Sequence, residues 1–328
     1  MPNRNKFALV VAGGEIGMTY SSKKNGHTPE LTAEEMLSWL PEGMSENVHL
    51  VDWSHQASSH YTIRMTSDLV GILSKLVVDG VQGIVVTCGT DTMEEMAYLT
   101  DLTWAYPQPI IFTGTNSPSD VVGSDAIANL QNAMYAATSQ GTWGMGVLVC
   151  LQDQLLAASE ISQGVNYRKN GFLAFDRGPV GEIIRDGITI RRIPKRGKIL
   201  EGIVPARNVE IIYSSLGGGE RLISSLASSN ELPDGVVLAA FGNGNVFPAW
   251  IPYIKALIKS EVPILLSSRC PYGKVMGMFG FEGAANRLFE IGVMNAGDLT
   301  PLKARLKLSV GLGAGLSGQD LQKYILDS

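Results

Sequence analysis

A chain of 328 residues is about twice the usual domain length, and 45% hydrophobic against 17% charged residues implies a sizeable core rather than disorder. Twenty-six Lys and Arg against 31 Asp and Glu leave a net charge of −5, which argues against the broad basic footprint that nucleic acid requires. No stretch approaches the ~20 apolar residues of a membrane span, and three scattered cysteines, Cys88, Cys150 and Cys270, support neither a disulfide framework nor a zinc knuckle. At the start, Arg4 and Lys6 precede the apolar run Phe7 to Ala12. That run is too short for an export signal and ends in Gly13-Gly14-Glu15 with no cleavage pattern, so a cytoplasmic protein is expected. The run itself reads as a buried strand closed by a sharp turn.

Thr32-Ala33-Glu34-Glu35 spells a capping box, with Thr32 as N-cap of a helix and Glu35 three residues on. His49 to Trp53 and Gly83 to Thr87 read as strands separated by a helix around Ser67 to Val78. A helix from about Thr92 to Thr103, a strand Pro109 to Thr113, a helix Asp125 to Ala137 and a strand Met145 to Leu151 follow. This alternation predicts a parallel sheet covered by helices on both faces, with ligands bound at the carboxyl ends of its strands. The basic run Arg191 to Lys198, broken by proline and glycine, reads as the start of an exposed linker, with a phosphate-binding patch as the sharper alternative. Beyond it, Val209 to Tyr213, Gly235 to Ala240 and Pro263 to Ser267 form a second set of strands. Gly217-Gly218-Gly219 reads as a turn before a helix, or as a phosphate loop. Thr300-Pro301 opens a helix to about Val310, and Ser317 is expected to cap the last one. The architecture is therefore α/β, with two α/β domains of mainly parallel sheets: 1–190 carrying the site, a linker at 191–207, and a smaller domain at 208–328.

Three segments place reactive side chains at strand ends. In Ala12-Gly13-Gly14-Glu15-Ile16-Gly17, Ala12 occupies the first glycine of a dinucleotide fingerprint, and the next strand begins too far on to set an acid against a ribose. Val85 to Glu95 runs a strand into Gly89-Thr90-Asp91-Thr92 and then a helix, where Thr90 and Asp91 are also natural caps. The third is Gly114-Thr115-Asn116-Ser117-Pro118, with Ser124-Asp125 soon after. His27, His55 and His60 lack the spacing of a helical ligand pair and a fixed carboxylate, so no metal is expected, and no cofactor either. Cys88, beside a helix start, is either a substitute nucleophile or a small buried hydrophobe.

Gly89-Thr90-Asp91-Thr92-Met93-Glu94-Glu95 closely resembles the second signature of the bacterial-type asparaginase/glutaminase family, and the resemblance extends over essentially the whole chain. Ala12 to Gly17 stands where that family has Thr-Gly-Gly-Thr-Ile, and Pro109 to Pro118 where it has Pro-x-x-x-x-Gly-Ala-x-Arg-Pro. Asp125 matches its Ala-Asp-Gly. Gly242-Asn243-Gly244-Asn245, Ser267-Ser268-Arg269 and the stretch from Leu299 to Arg305 resemble motifs of its smaller C-terminal domain. The resemblance implies a larger N-terminal and a smaller C-terminal α/β domain, a small-molecule substrate, and assembly as a homodimer or homotetramer. Glu282 lies where some relatives send an acid into the neighbouring subunit's site.

Carried over by position, Thr90 and Asp91 match the family's catalytic pair, while Glu15 stands at the position of the threonine nucleophile. Leu156 to Gln163 matches Leu-Ala-Ala-Arg-Asp-Val-Thr-Lys, so Gln163 replaces the relay lysine. His27 takes the place of the flap tyrosine and Cys88 that of a histidine. Gly14, Ser58, Ser59, Gly89, Thr115, His27 and Gln163 are the implied substrate-binding residues. These two exchanges, Thr to Glu and Lys to Gln, make the pocket about two charges more negative than a family enzyme's. The proton affinity of Glu15 is then expected to rise under the influence of Asp91. Ordinary asparaginase activity should be weak or absent. Glu15 then serves as acid/base toward an amide or amino-acid-like molecule, activating Thr90 or a water, with backbone N–H groups near Gly89 and Thr115 stabilising developing charge. The alternative is a catalytically inactive homologue that binds an amino-acid-like ligand.

Overall fold

The computed structural model describes residues 6–185 and 187–327; Arg4, weighed above for an export signal, lies outside them. The chain forms two compact units, Met1–Ile199 and Leu200–Ser328. In the first, strand β1 (Lys6–Ala12) is followed by a 3-10 turn at Glu15–Gly17 and by a hairpin of β2 (Met18–Ser21) and β3 (Gly26–Pro29). Helix α1 (Ala33–Leu37) carries the predicted capping box in full, the Thr32 side chain accepting from the Glu35 N–H and Glu35 accepting in return. Strand β4 (Val48–Ser54), helix α2 (Ile63–Val78), strand β5 (Val81–Cys88), helix α3 (Thr90–Thr103), strand β6 (Ile110–Thr113), helix α4 (Ala126–Thr138) and strand β7 (Val147–Leu151) follow.

Strands β4, β1, β5, β6 and β7 lie side by side in that order and pair in parallel. Alternate residues of β1 enter opposite cores. Ala8, Val10 and Ala12 pack with Leu69 and Leu73 of α2 and Met93 of α3, whereas Leu9 and Val11 pack with Met36 of α1 and Leu130 of α4. A strand buried on both faces needs an unbroken apolar run, which is why Phe7 to Ala12 was legible. The sheet continues through β8 (Gln154–Ala157), and then β11 (Gly181–Ile184) and β12 (Gly187–Ile190), all antiparallel to their neighbours. Between them in sequence, β9 (Ser162–Gln163) and β10 (Phe172–Leu173) form a short ribbon. Neither this antiparallel edge nor the β2–β3 hairpin was predicted.

The order places a topological switch point between β1 and β5. The connection from β1 runs outward to β4, while that from β5 runs the other way to β6, so a crevice opens beyond their carboxyl ends. The segment after β12 departs from the expected exposed linker. Arg196 pairs with buried Asp101 at 3.0 Å, and Arg192 grips Glu160, so both arginines belong to the first unit.

The second unit is a parallel sheet of β13 (Val209–Tyr213), β14 (Gly235–Ala240), β15 (Ile264–Ser268) and β16 (Met294–Asn295), in sequence order. Helices α5 (Glu220–Ala227), α6 (Ile251–Lys259) and α7 (Ala285–Glu290) connect these strands, and their apolar residues share one core with them. Helix α8 (Pro301–Gly313) begins at the predicted Thr300 cap, and α9 (Gly318–Leu326) completes the chain's described elements. Ser317 is the N-cap residue of α9, but its side chain makes no capping hydrogen bond. Gly219, in a left-handed conformation, is the N-cap of α5, which gives the triple glycine a turn's role.

Candidate functional site

The register of the sheet sets the site. Ala12 pairs with Ser54 on one side and Cys88 on the other, and Thr87 pairs with Thr113. Glu15 follows β1 by three residues, Gly89 to Asp91 follow β5 directly, Ser58 and Ser59 follow β4, and Thr115 follows β6. All therefore leave the same end of the sheet, flanking the switch point.

Glycine allows these chain segments to touch. Gly14 has φ +80°, and a Cβ there would stand 2.0 Å from the Gly89 nitrogen. A Cβ on Gly89 would in turn fall 2.4 Å from Ser58 Oγ and 2.9 Å from Gly14 Cα. Only glycine at both positions lets the β1, β5 and β4 loops close on one another. The contact is reinforced by the Gly14 N–H donating to Gln56 O, by Thr92 Oγ1 donating to Ser58 O at 3.0 Å, and by Tyr61 Oη donating to Ala12 O at 2.7 Å. Burial pushes the Tyr61 phenol up to about 12, so it remains a donor at neutral pH.

Glu15 begins the 3-10 turn and is partly buried, and its Oε2 is buried without a hydrogen-bond partner. Burial raises its pKa above the ordinary carboxylate range, and the negative charge of Asp91 raises it further. The direction agrees with the sequence-based expectation, but desolvation is the larger cause and Asp91 the smaller. Neither Glu15 nor Asp91 forms an ion pair with a Lys, Arg or His among the described residues.

Thr90 and Asp91 are not caps. Gly89 is the N-cap of α3 and carries no side-chain bond, and Thr90 and Asp91 are the first two helical residues. Thr90 is buried and Asp91 exposed. Their N–H groups belong to the helix's first turn, where backbone donors lack intrahelical acceptors and the dipole favours negative charge. One turn deeper, buried Glu94 accepts from Ser162 Oγ and from the Gln163 backbone N–H, both at 3.0 Å. The carboxylate thus fastens β9, and with it Gln163, to the helix that begins at Thr90. The i, i+4 spacing of Thr90 and Glu94 places both on one face of the helix, but nothing local in the sequence signals the contact of Glu94 with residues 162 and 163.

Two implied binding residues are occupied otherwise. Thr115 is buried, and its Oγ1 donates to Asp125 Oδ1 at 2.5 Å and accepts from the Ser117 N–H at 3.0 Å. Gln152 Nε2 holds the other oxygen of Asp125 at 2.7 Å. The threonine hydroxyl therefore braces the loop after β6. His27 is exposed on β3, its Nε2 lying 3.2 Å from Asp120 Oδ1 and its ring edge-on to Tyr20. Ser59 is exposed beside buried Ser58. Cys88 is fully buried and burial raises its thiol pKa strongly, which leaves it the small hydrophobe of the two readings.

Residues 6–196 match the family model described as asparaginase, N-terminal, and residues 208–325 match the glutaminase/asparaginase C-terminal domain. The chain is 28% identical over 316 residues to an L-asparaginase of Bacillus licheniformis, covering 95% of this chain and 97% of that protein. It is 30% identical over 325 residues to a probable L-asparaginase of Deinococcus radiodurans, covering 97% and 96%. Its fold is that of the crystal structure of a probable cytoplasmic L-asparaginase from Campylobacter jejuni, with a TM-score of 0.88 at 23% identity over 99% of this chain and 100% of that one.

Proposed function

Because this chain belongs to the asparaginase/glutaminase family, we propose that it acts on an amide or amino-acid-like small molecule, with Glu15 as the acid/base group in place of a threonine nucleophile. The observation that carries this reading is the buried, unpartnered Oε2 of Glu15 at the switch point. A desolvated carboxyl beside a second carboxylate and without a paired cation holds its proton into a higher pH range, as a general acid requires. A water adds to the carbonyl carbon first; as that tetrahedral adduct collapses, Glu15 gives its proton to the leaving nitrogen, and the carboxylate so formed recovers a proton from the hydroxyl that the water brought. The N–H groups of the first turn of α3, which have no intrahelical acceptors, are the natural stabilisers of the developing oxyanion. Water adds across the C–N bond, giving an acid and ammonia or an amine.

Ordinary asparagine hydrolysis needs an activated threonine, and at that position Glu15 supplies none. Ammonia release from L-asparagine is therefore expected to lie about four orders of magnitude below that of an intact hydrolytic site. Glu15→Gln, nearly isosteric, should keep the fold and abolish turnover of whichever member of an amide panel the wild type hydrolyses. Turnover of L-asparagine at a rate ordinary for an enzyme (about 10 per second), or an active Glu15→Gln, would contradict the reading. Ligand binding that depends on Glu15 with no turnover on any amide would assign the chain to binding alone. A cytoplasmic location and a homodimeric or homotetrameric assembly belong to the same proposal; among the described residues no helix is long and apolar enough to cross a membrane.

A further inference from the structure

The ionisable groups that meet at the crevice are carboxylates. Glu15 follows β1 and Asp91 lies in the first turn of α3. One turn deeper is the buried carboxylate of Glu94, which is satisfied by neutral donors, Ser162 Oγ and the Gln163 N–H. Burial first, and then the charge of Asp91, raise the pKa of Glu15, and no cation among the described residues offsets them. The cations of the flanking segments are placed otherwise. His27 Nε2 lies 3.2 Å from Asp120 Oδ1, and His55 Nε2 lies 3.7 Å from Asp52 Oδ1. Lys169 Nζ donates to Gly123 O, the Arg168 guanidinium stands 5.8 Å from the centre of the Tyr167 ring, and His60 is exposed. The N-terminus of α3 carries about half a positive charge, which Asp91 in that same turn already balances.

Glu15 Oε2 makes the demand on a ligand specific. It is a buried acceptor with no donor in the protein, and such an atom is costly until a donor reaches it. A substrate carboxylate brings only acceptors and a like charge, whereas an ammonium brings three donors and the opposite charge. From this we infer that the crevice takes an aminoalkyl amide without a free carboxylate, and that Glu15 and Asp91 together set this preference, an assignment that rests on the proposed function of the crevice. An ammonium on Asp91 cancels the smaller of the two causes that raise the Glu15 pKa. Burial, the larger, remains, so the carboxyl still holds a proton to give.

Three probes of similar length, γ-aminobutyramide, succinamide and succinamate, set a cation, a neutral group and an anion at the far end of the same amide. Binding calorimetry on the full chain at neutral pH and low salt should rank them in that order, with about ten-fold in affinity between neighbours. Added salt should narrow the spread, because exposed Asp91 is screened. Asp91→Asn should cut the cation-over-anion ratio about ten-fold, with thermal melting to show that the variant is folded. In the wild type the ratio should grow as pH rises and Glu15 ionises. In Glu15→Gln it should grow less, the histidines titrating alike in both proteins. Succinamate binding as tightly as γ-aminobutyramide would overturn the inference. So would a failure of γ-aminobutyramide to bind at millimolar concentration, or a ratio unmoved in folded Asp91→Asn. The expected ranking with no probe hydrolysed would count against the proposed chemistry while leaving the ligand class in place. A preference for succinamate with Glu15-dependent hydrolysis would do the reverse.

Discussion

Glu15 is held in its place by its neighbours. Gly14 turns the chain at φ +80° against Gly89, and the carboxylate that follows has one oxygen buried with no donor facing it. Such a group lowers the stability of the folded state once it ionises. Its folded pKa lies above the unfolded value of about 4.3, so the folded protein binds the proton more tightly. The stability that this proton confers is complete below the unfolded pKa and is lost as pH rises through the folded one. Glu15→Gln removes that titration. The melting temperature of the variant should gain on the wild type as pH rises from about 4 towards neutrality; a gap that does not change with pH would show that the carboxyl is not perturbed. The position of Glu15 was legible in the sequence because the segments around it match family motifs. The leading cause of its perturbation was not, since desolvation depends on packing that residue types alone do not specify.

At the scale of elements, the parallel core was read closely because strands buried on both faces leave continuous apolar runs. The edge strands β8, β11 and β12 and the hairpin were missed because each strand has only four residues, too few for a clear period; β11, β12 and the hairpin are also partly exposed, whereas β8 is buried beyond Gln154. Two side-chain braces beside the site, Glu94 of α3 holding β9 and Asp120 holding the hairpin, join segments far apart in sequence, where no local pattern announces them. The segment after β12 was misread for the same reason. Arg196 looked solvated, yet its guanidinium pairs with buried Asp101 and donates to the carbonyls of Asp101 and Trp104 at the end of α3. Burial raises the pKa of Asp101, and Arg196 opposes that rise. Arg196→Ala would leave a buried carboxylate without its cation and should cost about 3–5 kcal/mol in chemical denaturation. A loss under about 1 kcal/mol would class the pair with exposed ion pairs.

At the scale of the molecule, the chain divides into two units between Ile199 and Leu200, each with its own sheet and core. The catalytic candidates all fall in the first unit. The second carries exposed Glu282 and, in the same irregular segment, Phe279 stacked on Phe281, each about half exposed. An exposed aromatic and acidic segment of this kind suits association with another copy, as the family resemblance implies. Sedimentation should show a dimer or tetramer, and a fully functional monomer persisting on dilution would contradict the proposed assembly.

The most direct test of the account is the turnover of Glu15→Gln compared with the wild type, measured at neutral pH on the best substrate from a panel of small amides. If Glu15 is the acid/base group, the variant folds, its ligand still binds, and kcat falls by about two to four orders of magnitude. A Glu15→Gln protein that hydrolyses the same amide as fast as the wild type would contradict it.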